Sequence, residues 1–280
     1  MNGVLLVNKP VGITSHDLVQ KARKLLKTSR IGHTGTLDPL AEGLMILTIG
    51  KATKILPFMS HYFKEYIATM QLGKRSDTLD CTGEILETRE YTMPSREEII
   101  AVLNSFLGES EQLPPMYSAK KYQGQHLYDL ARNNIEVERK KQKISIREIE
   151  LLDSNADSIV FRAVCSTGTY VRVLIEDIAE RMGQIALMSS LKRTKIDRFD
   201  LKDAWQLSEL NERIVPIDVY DVLNDHFYYE IDDPTDVYNG KRIQLPEATA
   251  DLVMITKERE ILAAYEKDDD GYYYCKRGLW

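Results

Sequence analysis

The stretch GHTGTLDPLAEG, residues 32–43, places three glycines, two threonines, a histidine, an aspartate and a proline ahead of the apolar run LMILTIG, residues 44–50. Gly and Pro interrupt both helix and strand and Asp favours neither, so this composition predicts a loop that holds Asp38 in one place. A plainer reading has Asp38 capping its own turn before Pro39 through an Asx bond. On the loop alone both readings stand.

Upstream, TSHDLVQKARKLL opens with Thr14-x-x-Asp17 capping spacing and sets Leu18, Ala22, Leu25 and Leu26 on one face, predicting an amphipathic helix with its basic side outward. Downstream, LMILTIG reads as a buried strand and KATKILPFM as a helical turn stopped near Pro57. EYIATMQLG alternates from Tyr66 through Ala68, Met70 and Leu72, a strand pattern led by Tyr66. SREEIIAVLNSFLG has Ser95 and Glu98 in capping-box spacing, an apolar stripe of Ile99, Leu103 and Phe106, and Gly108 as a stop.

QLPPMYSAKKYQGQHLYDLAR reads as an irregular loop before a short helix from about Gln125, and KISIREIEL and DSIVFRAVCS read as strands. TGTYVRVLIEDIAERMG is a tight turn into a helix with Val171, Leu174, Ile178 and Met182 on its core stripe. Arg172 falls off that stripe in the first turn, where a cation is unfavourable unless a carboxylate or phosphate meets it. Beyond residue 226, HFYYEID, DLVMIT, EILAAYEK and GYYYCKR read as short strands of a small acidic unit. Helices and strands mix without a βαβ repeat or a G-x-G-x-x-G, which predicts an α+β domain rather than a Rossmann sheet.

The 280 residues are 43% hydrophobic and 29% charged, an ordinary globular composition for one large and one small domain. No run approaches 18 apolar residues, so neither signal peptide nor membrane span is expected, and the cytoplasm is the expected compartment. Cys81, Cys165 and Cys275 have no C-x-x-C spacing, and the histidines lack ligand spacing, so no metal or cofactor is expected. The net charge of −6 argues against a generic nucleic-acid binder, yet residues 1–60 carry eight basic against three acidic side chains, and residues 116–147 repeat that balance. Either cluster alone is a solvated face; two flanking one odd loop suggest a polyanionic partner.

Together these features resemble the bacterial tRNA pseudouridine synthase B family, through LLVNKPVGITSHDLV (5–19), RIGHTGTLDPLAEGLMILTIGKATK (30–54), KEYIATMQLGKRSDTLDCTG (64–83), PPMYSAKKYQGQHLYDLAR (114–132) and CSTGTYVRVLIEDIAERMG (165–183). The resemblance implies a pseudouridine synthase fold of α+β class, with a mixed central sheet and a catalytic cleft over residues 1–225 and a β-rich, PUA-like domain over 226–280. It implies isomerisation of uridine 55 in the T loop of tRNA, with the base flipped into the cleft, by a monomer acting on the T stem-loop.

The resemblance also assigns site residues. Asp38 is the catalytic carboxylate, acting as nucleophile at C1′ or C6 or as base at C2′. Arg172 pairs with it and keeps it ionised, and Asp80 orients Arg172. Tyr66 stacks on the target base, Tyr170 and Leu191 complete the pocket, and His33 fills the space the base vacates. Lys9 and Pro10, with the basic helix from Thr14 to Lys27, position the RNA backbone, and residues 114–132 fold over the T stem-loop as a lid. Two other readings remain at this level. A retaining glycosidase would pair Asp38 with Asp80 about 5 Å apart but leaves Arg172 and the basic clusters unexplained, and a non-catalytic tRNA-folding protein would share the grip on RNA.

Overall fold

The computed structural model describes residues 1–59, 63–133 and 135–280. Its main body is a ten-stranded mixed sheet. Eight strands run in the order Trp205–Gln206, Gly3–Lys9, Glu42–Ile49, Ala186–Ile196, Lys64–Leu72, Ser158–Cys165, Gln142–Ser154 and Gly108–Gln112. Ile31–His33 pairs with Glu42–Ile49, and Phe199–Asp200 with Ala186–Ile196. Two pairings are parallel, those of Gly3–Lys9 with Trp205–Gln206 and of Glu42–Ile49 with Ala186–Ile196, and the others are antiparallel.

The unbroken apolar run in Glu42–Ile49 follows from its place in this sheet, which is covered on both faces. Met45, Leu47 and Ile49 join Leu5 and Val7 in one core. Helices Ser15–Leu25, Arg96–Asn104 and Val171–Arg181 contribute to that core. Leu44 and Ile46 point the opposite way, into a second core with Val4 and Leu6. That core is closed by the 3₁₀ helix Gly50–Met59 and by Met254, Ile261 and Ala264 of a separate four-stranded sheet. The four strands are Phe227–Glu230, Leu252–Lys257, Glu260–Lys267 and Tyr273–Gly278.

Both capping boxes form, at Thr14 with Asp17 and at Ser95 with Glu98. Four local expectations change: helix Arg96–Asn104 ends before Phe106, and Gly108 opens the strand Gly108–Gln112 instead of stopping the helix. Leu25 is exposed and Val19 takes a buried position beside Leu18, Ala22 and Leu26, because the buried stripe runs through positions 15, 18, 19, 22 and 26 and Leu25 lies beside it. The helical turn does not stop at Pro57 but continues to Met59 as a 3₁₀ helix, where the missing proline N–H removes a single bond. The helix placed near Gln125 begins at Leu127, after a two-stranded ribbon of Lys121–Tyr122 and Gln125–His126.

Candidate active site

A cleft of about 340 Å³ opens at the edge of the main core and is lined by Asp38, Lys64, Tyr66, Tyr170, Arg172, Leu191 and the 118–120 segment. The Asp38 loop is clamped by its neighbours. Ser15, buried in the first turn of its helix, accepts a hydrogen bond through Oγ from the Leu37 N–H at 2.8 Å and donates to the Leu37 carbonyl at 3.0 Å. On the other side of Asp38, the Gly12 N–H donates to the Pro39 carbonyl at 2.8 Å and the Ala41 N–H to the Asp38 carbonyl at 3.0 Å. Gly43 leaves the loop at φ +111°, and a Cβ there would stand 2.3 Å from the Arg193 carbonyl, so only glycine lets these strands meet.

Arg172 is 5% exposed, and its guanidinium is divided among three segments. Nε pairs with Asp38 Oδ2 at 3.0 Å, Nη1 donates to the Thr78 carbonyl at 2.8 Å, and Nη2 donates to the Tyr117 carbonyl at 2.8 Å. The carboxylate that a cation at a helix N-terminus requires is therefore Asp38. Burial pushes the Asp38 carboxyl above the usual carboxylate range, Arg172 pulls it back toward the ionised form, and Asp80 adds a smaller push upward.

Asp80 is buried but does not bond Arg172. Its Oδ1 accepts from Thr78 Oγ1 at 2.8 Å, the Thr82 N–H at 2.9 Å and Thr82 Oγ1 at 2.6 Å. It shapes the turn that offers the Thr78 carbonyl to Arg172, so its action on the guanidinium is indirect. Leu79, between the two, sits in the left-handed region at φ +63°, a strained conformation this hydrogen-bonded turn sustains.

Tyr66 and Leu191 reach the cleft from adjacent strands, Tyr66 opposite Arg193 and Leu191 opposite Ala68. Tyr66 is 7% exposed, and burial raises its phenol above the ordinary tyrosine range. Tyr170 caps the Val171–Arg181 helix and is held by a residue the sequence did not single out: Gln112 accepts from the Tyr170 N–H at 2.8 Å and donates to its carbonyl at 3.1 Å.

His33 lies half-buried beside the loop, its Nδ1 accepting from the Gly35 N–H at 3.3 Å, outside the cleft lining. Lys9 departs from expectation. It is fully buried, and its ammonium donates to the Pro10 and Ile13 carbonyls at 3.0 and 2.8 Å, so it braces the turn before the helix and cannot reach a phosphate. Burial lowers its pKa to about 8. Pro10 is exposed. Other members of the N-terminal basic cluster also have partners within the fold: Arg23 donates to the Ile31 carbonyl, Lys27 pairs with Glu212, and Lys54 donates to the Trp280 carbonyl. The Lys27 and Lys54 contacts are exposed, hence weak, and exchange readily for phosphate.

A carboxylate held by a buried guanidinium, with an aromatic and an aliphatic wall, equips the cleft for covalent or acid–base work at a flat ring. The fold is shared with the crystal structure of a Cbf5–Nop10–Gar1 complex, which matches all of this chain and 85% of that one at a TM-score of 0.74 and 24% identity. Residues 23–171 match the model of the TruB family pseudouridylate synthase N-terminal domain. The tRNA pseudouridine synthase B of Geobacillus thermodenitrificans is 42% identical over 290 residues, covering 95% of each chain. That of Clostridium tetani is 39% identical over 99% of each. The chain belongs to the TruB family of pseudouridylate synthases.

Proposed function

We propose that this enzyme isomerises uridine 55 in the T loop of tRNA. The observation that carries the reading is the Asp38–Arg172 pair at 3.0 Å inside a cleft walled by Tyr66, Tyr170 and Leu191. The cleft lies in a chain similar along nearly its whole length to enzymes named for tRNA. The reaction breaks N1–C1′, turns the uracil and joins C5 to C1′; N1 gains a proton, C5 loses one, and no electrons are exchanged with a second reactant. One carboxylate suffices, as nucleophile at C1′ or C6 or as base at C2′.

Extruded from the loop stack, the uracil lies against the Tyr66 ring, with Leu191 excluding water and Tyr170 contributing a polar contact. His33 takes the vacated space. The 118–120 segment, tied to Arg172 through the Tyr117 carbonyl, folds over the T stem-loop from the lid side. Residues 1–225 form the catalytic domain and 226–280 a PUA-like one, and the enzyme works as a cytoplasmic monomer.

The test is pseudouridine formation on unmodified tRNA by wild type and Asp38→Asn. Loss of turnover with binding kept within a few-fold is expected, since exchanging one oxygen for nitrogen removes the reactive carboxylate and no phosphate contact. Near-normal turnover in Asp38→Asn would sink the assignment of Asp38, and a wild type that binds tRNA without forming pseudouridine would leave only the role of a tRNA-folding protein.

A further inference from the structure

Besides the Asp38–Arg172 pair, the cleft is lined by Lys64, with Arg193 buried behind it and no carboxylate paired to either among the described residues. Lys64 opens the strand that carries Tyr66, is 9% exposed and lines the cleft, and its ammonium has no hydrogen bond or ion pair among the described residues. Arg193 lies on the neighbouring strand opposite Tyr66 and is fully buried. Its Nε donates to the Leu44 carbonyl at 2.7 Å and Nη2 to the Gly35 carbonyl at 3.2 Å, whereas Nη1 is buried without a hydrogen-bond partner. The Lys64 ammonium and Nη1 of Arg193, whose guanidinium also acts on the Tyr66 phenol, converge beside Gly35, which is at φ +135°. A Cβ built there would stand 3.0 Å from Lys64 Nζ and 3.9 Å from Arg193 Nη1.

Buried charge is costly unless it is paired, and two buried cations side by side are costlier still. Burial first, and Arg193 second, lower the Lys64 pKa to about 8. The cleft's own carboxylate does not relieve them, since Asp38 is engaged by Arg172. An arrangement of this kind is completed by an anion that arrives with the ligand.

We propose that Lys64, backed by Arg193 and the glycine at position 35, is a subsite for a non-bridging oxygen of the phosphodiester next to the uridine that enters the cleft. The inference rests on the reading of this cleft as the seat of a tRNA nucleotide. An RNA strand threading a base between Tyr66 and Asp38 carries a phosphate on each side of that nucleotide. One of them neutralises the cationic corner while Arg172 keeps to the carboxylate. Lys64 thus fixes where the sugar stands relative to Asp38.

The experiment uses the full-length protein, wild type and Lys64→Met. Its RNAs are an unmodified T-arm hairpin and two versions with an uncharged methylphosphonate linkage on the 5′ or the 3′ side of the target uridine. On the natural hairpin, Lys64→Met should bind about ten- to a hundredfold more weakly, as for loss of one charged hydrogen bond, and the slope of log affinity against log salt should shrink by about 1. On one of the two methylphosphonate hairpins, wild type and variant should bind within about twofold. RNA-free Lys64→Met should melt no lower than wild type at pH 7, because an unpaired buried cation is a cost to the free fold.

Equal binding on the natural hairpin overturns the subsite. So does an equal loss on both uncharged hairpins, which would assign Lys64 to the base, and so does a fall in melting temperature, which would assign it to the fold. A wild type that binds the hairpin without isomerising it would sink the functional reading and leave the phosphate comparison legible. A wild type that neither binds nor turns over would sink both.

Discussion

Replacing Arg172 separates two roles that its geometry joins. In Arg172→Lys a single ammonium replaces a guanidinium that bonds Asp38, the Thr78 carbonyl and the Tyr117 carbonyl from three nitrogens. If the ammonium follows Asp38, two carbonyls lose their partner. Each stranded buried acceptor costs about 1–3 kcal/mol. Thr78 and Tyr117 are partly exposed and water can enter from the cleft, so the lower part of the summed range, about 2–4 kcal/mol, is expected. At roughly 2–4 °C per kcal/mol the melting temperature should fall on the order of 5–10 °C.

Arg172→Met adds an electrostatic signature. Burial already raises the Asp38 pKa and Arg172 opposes it, so removing the cation raises it further. The reactive form is the carboxylate, and activity is lost as pH falls through that pKa. The acid limb of the single-turnover rate against pH should therefore move to higher pH in Arg172→Met, with the deficit largest at low pH and narrowing as pH rises. Single-turnover isomerisation of one T-arm RNA from pH 5 to 9, with melting curves at each pH, measures both effects. An acid limb unmoved in Arg172→Met would refute the claim that this ion pair sets the ionisation of Asp38.

Ser15→Ala removes both bonds to the Leu37 backbone and strands a buried N–H, so a loss of about 1–3 kcal/mol by denaturant unfolding is expected, together with a lower kcat because Asp38 is the next residue; unchanged kcat would show that the loop is positioned without this clamp. Tyr66→Phe keeps the aromatic face and should retain most isomerisation. Tyr66→Leu should lose about 1–3 kcal/mol of base stacking in single-turnover assays, and a Phe variant as inactive as Leu would put the phenol into the mechanism. Affinity for tRNA should fall steeply with added salt despite the net charge of −6, and a flat titration would show that the basic clusters do not face RNA.

Much of the local structure is written in short-range sequence. Thr14 with Asp17 and Ser95 with Glu98 announce two helix starts because a capping box is completed within four residues. Alternation marks the Lys64–Leu72 strand because side chains point to opposite faces with a period of two. The crowding of glycine and proline around Asp38 marks a held carboxylate, and the misplaced Arg172 asks for an anion.

The same signals misjudge whatever depends on a distant segment. Lys9 and Arg23 count as surface charge in a tally, yet one is buried on the Pro10 and Ile13 carbonyls and the other reaches the Ile31 carbonyl. Ser15, Gln112 and Lys64 carry no local mark at all. Ser15 becomes a clamp only when its helix turn meets Leu37, Gln112 only when its edge strand meets Tyr170, and Lys64 becomes a buried cation beside a second one only when the neighbouring strand brings up Arg193.

The sequence by itself determined the element types, the loop that presents Asp38 and the family, since these rest on spacings of a few residues and on motifs in fixed order. Which anion meets Arg172, which lysines are withdrawn from solvent and which charges face the cleft without a partner were decided by strand order and register. Those properties fix the dielectric surroundings and the neighbour of each charge, and both are set by chain segments far apart in sequence.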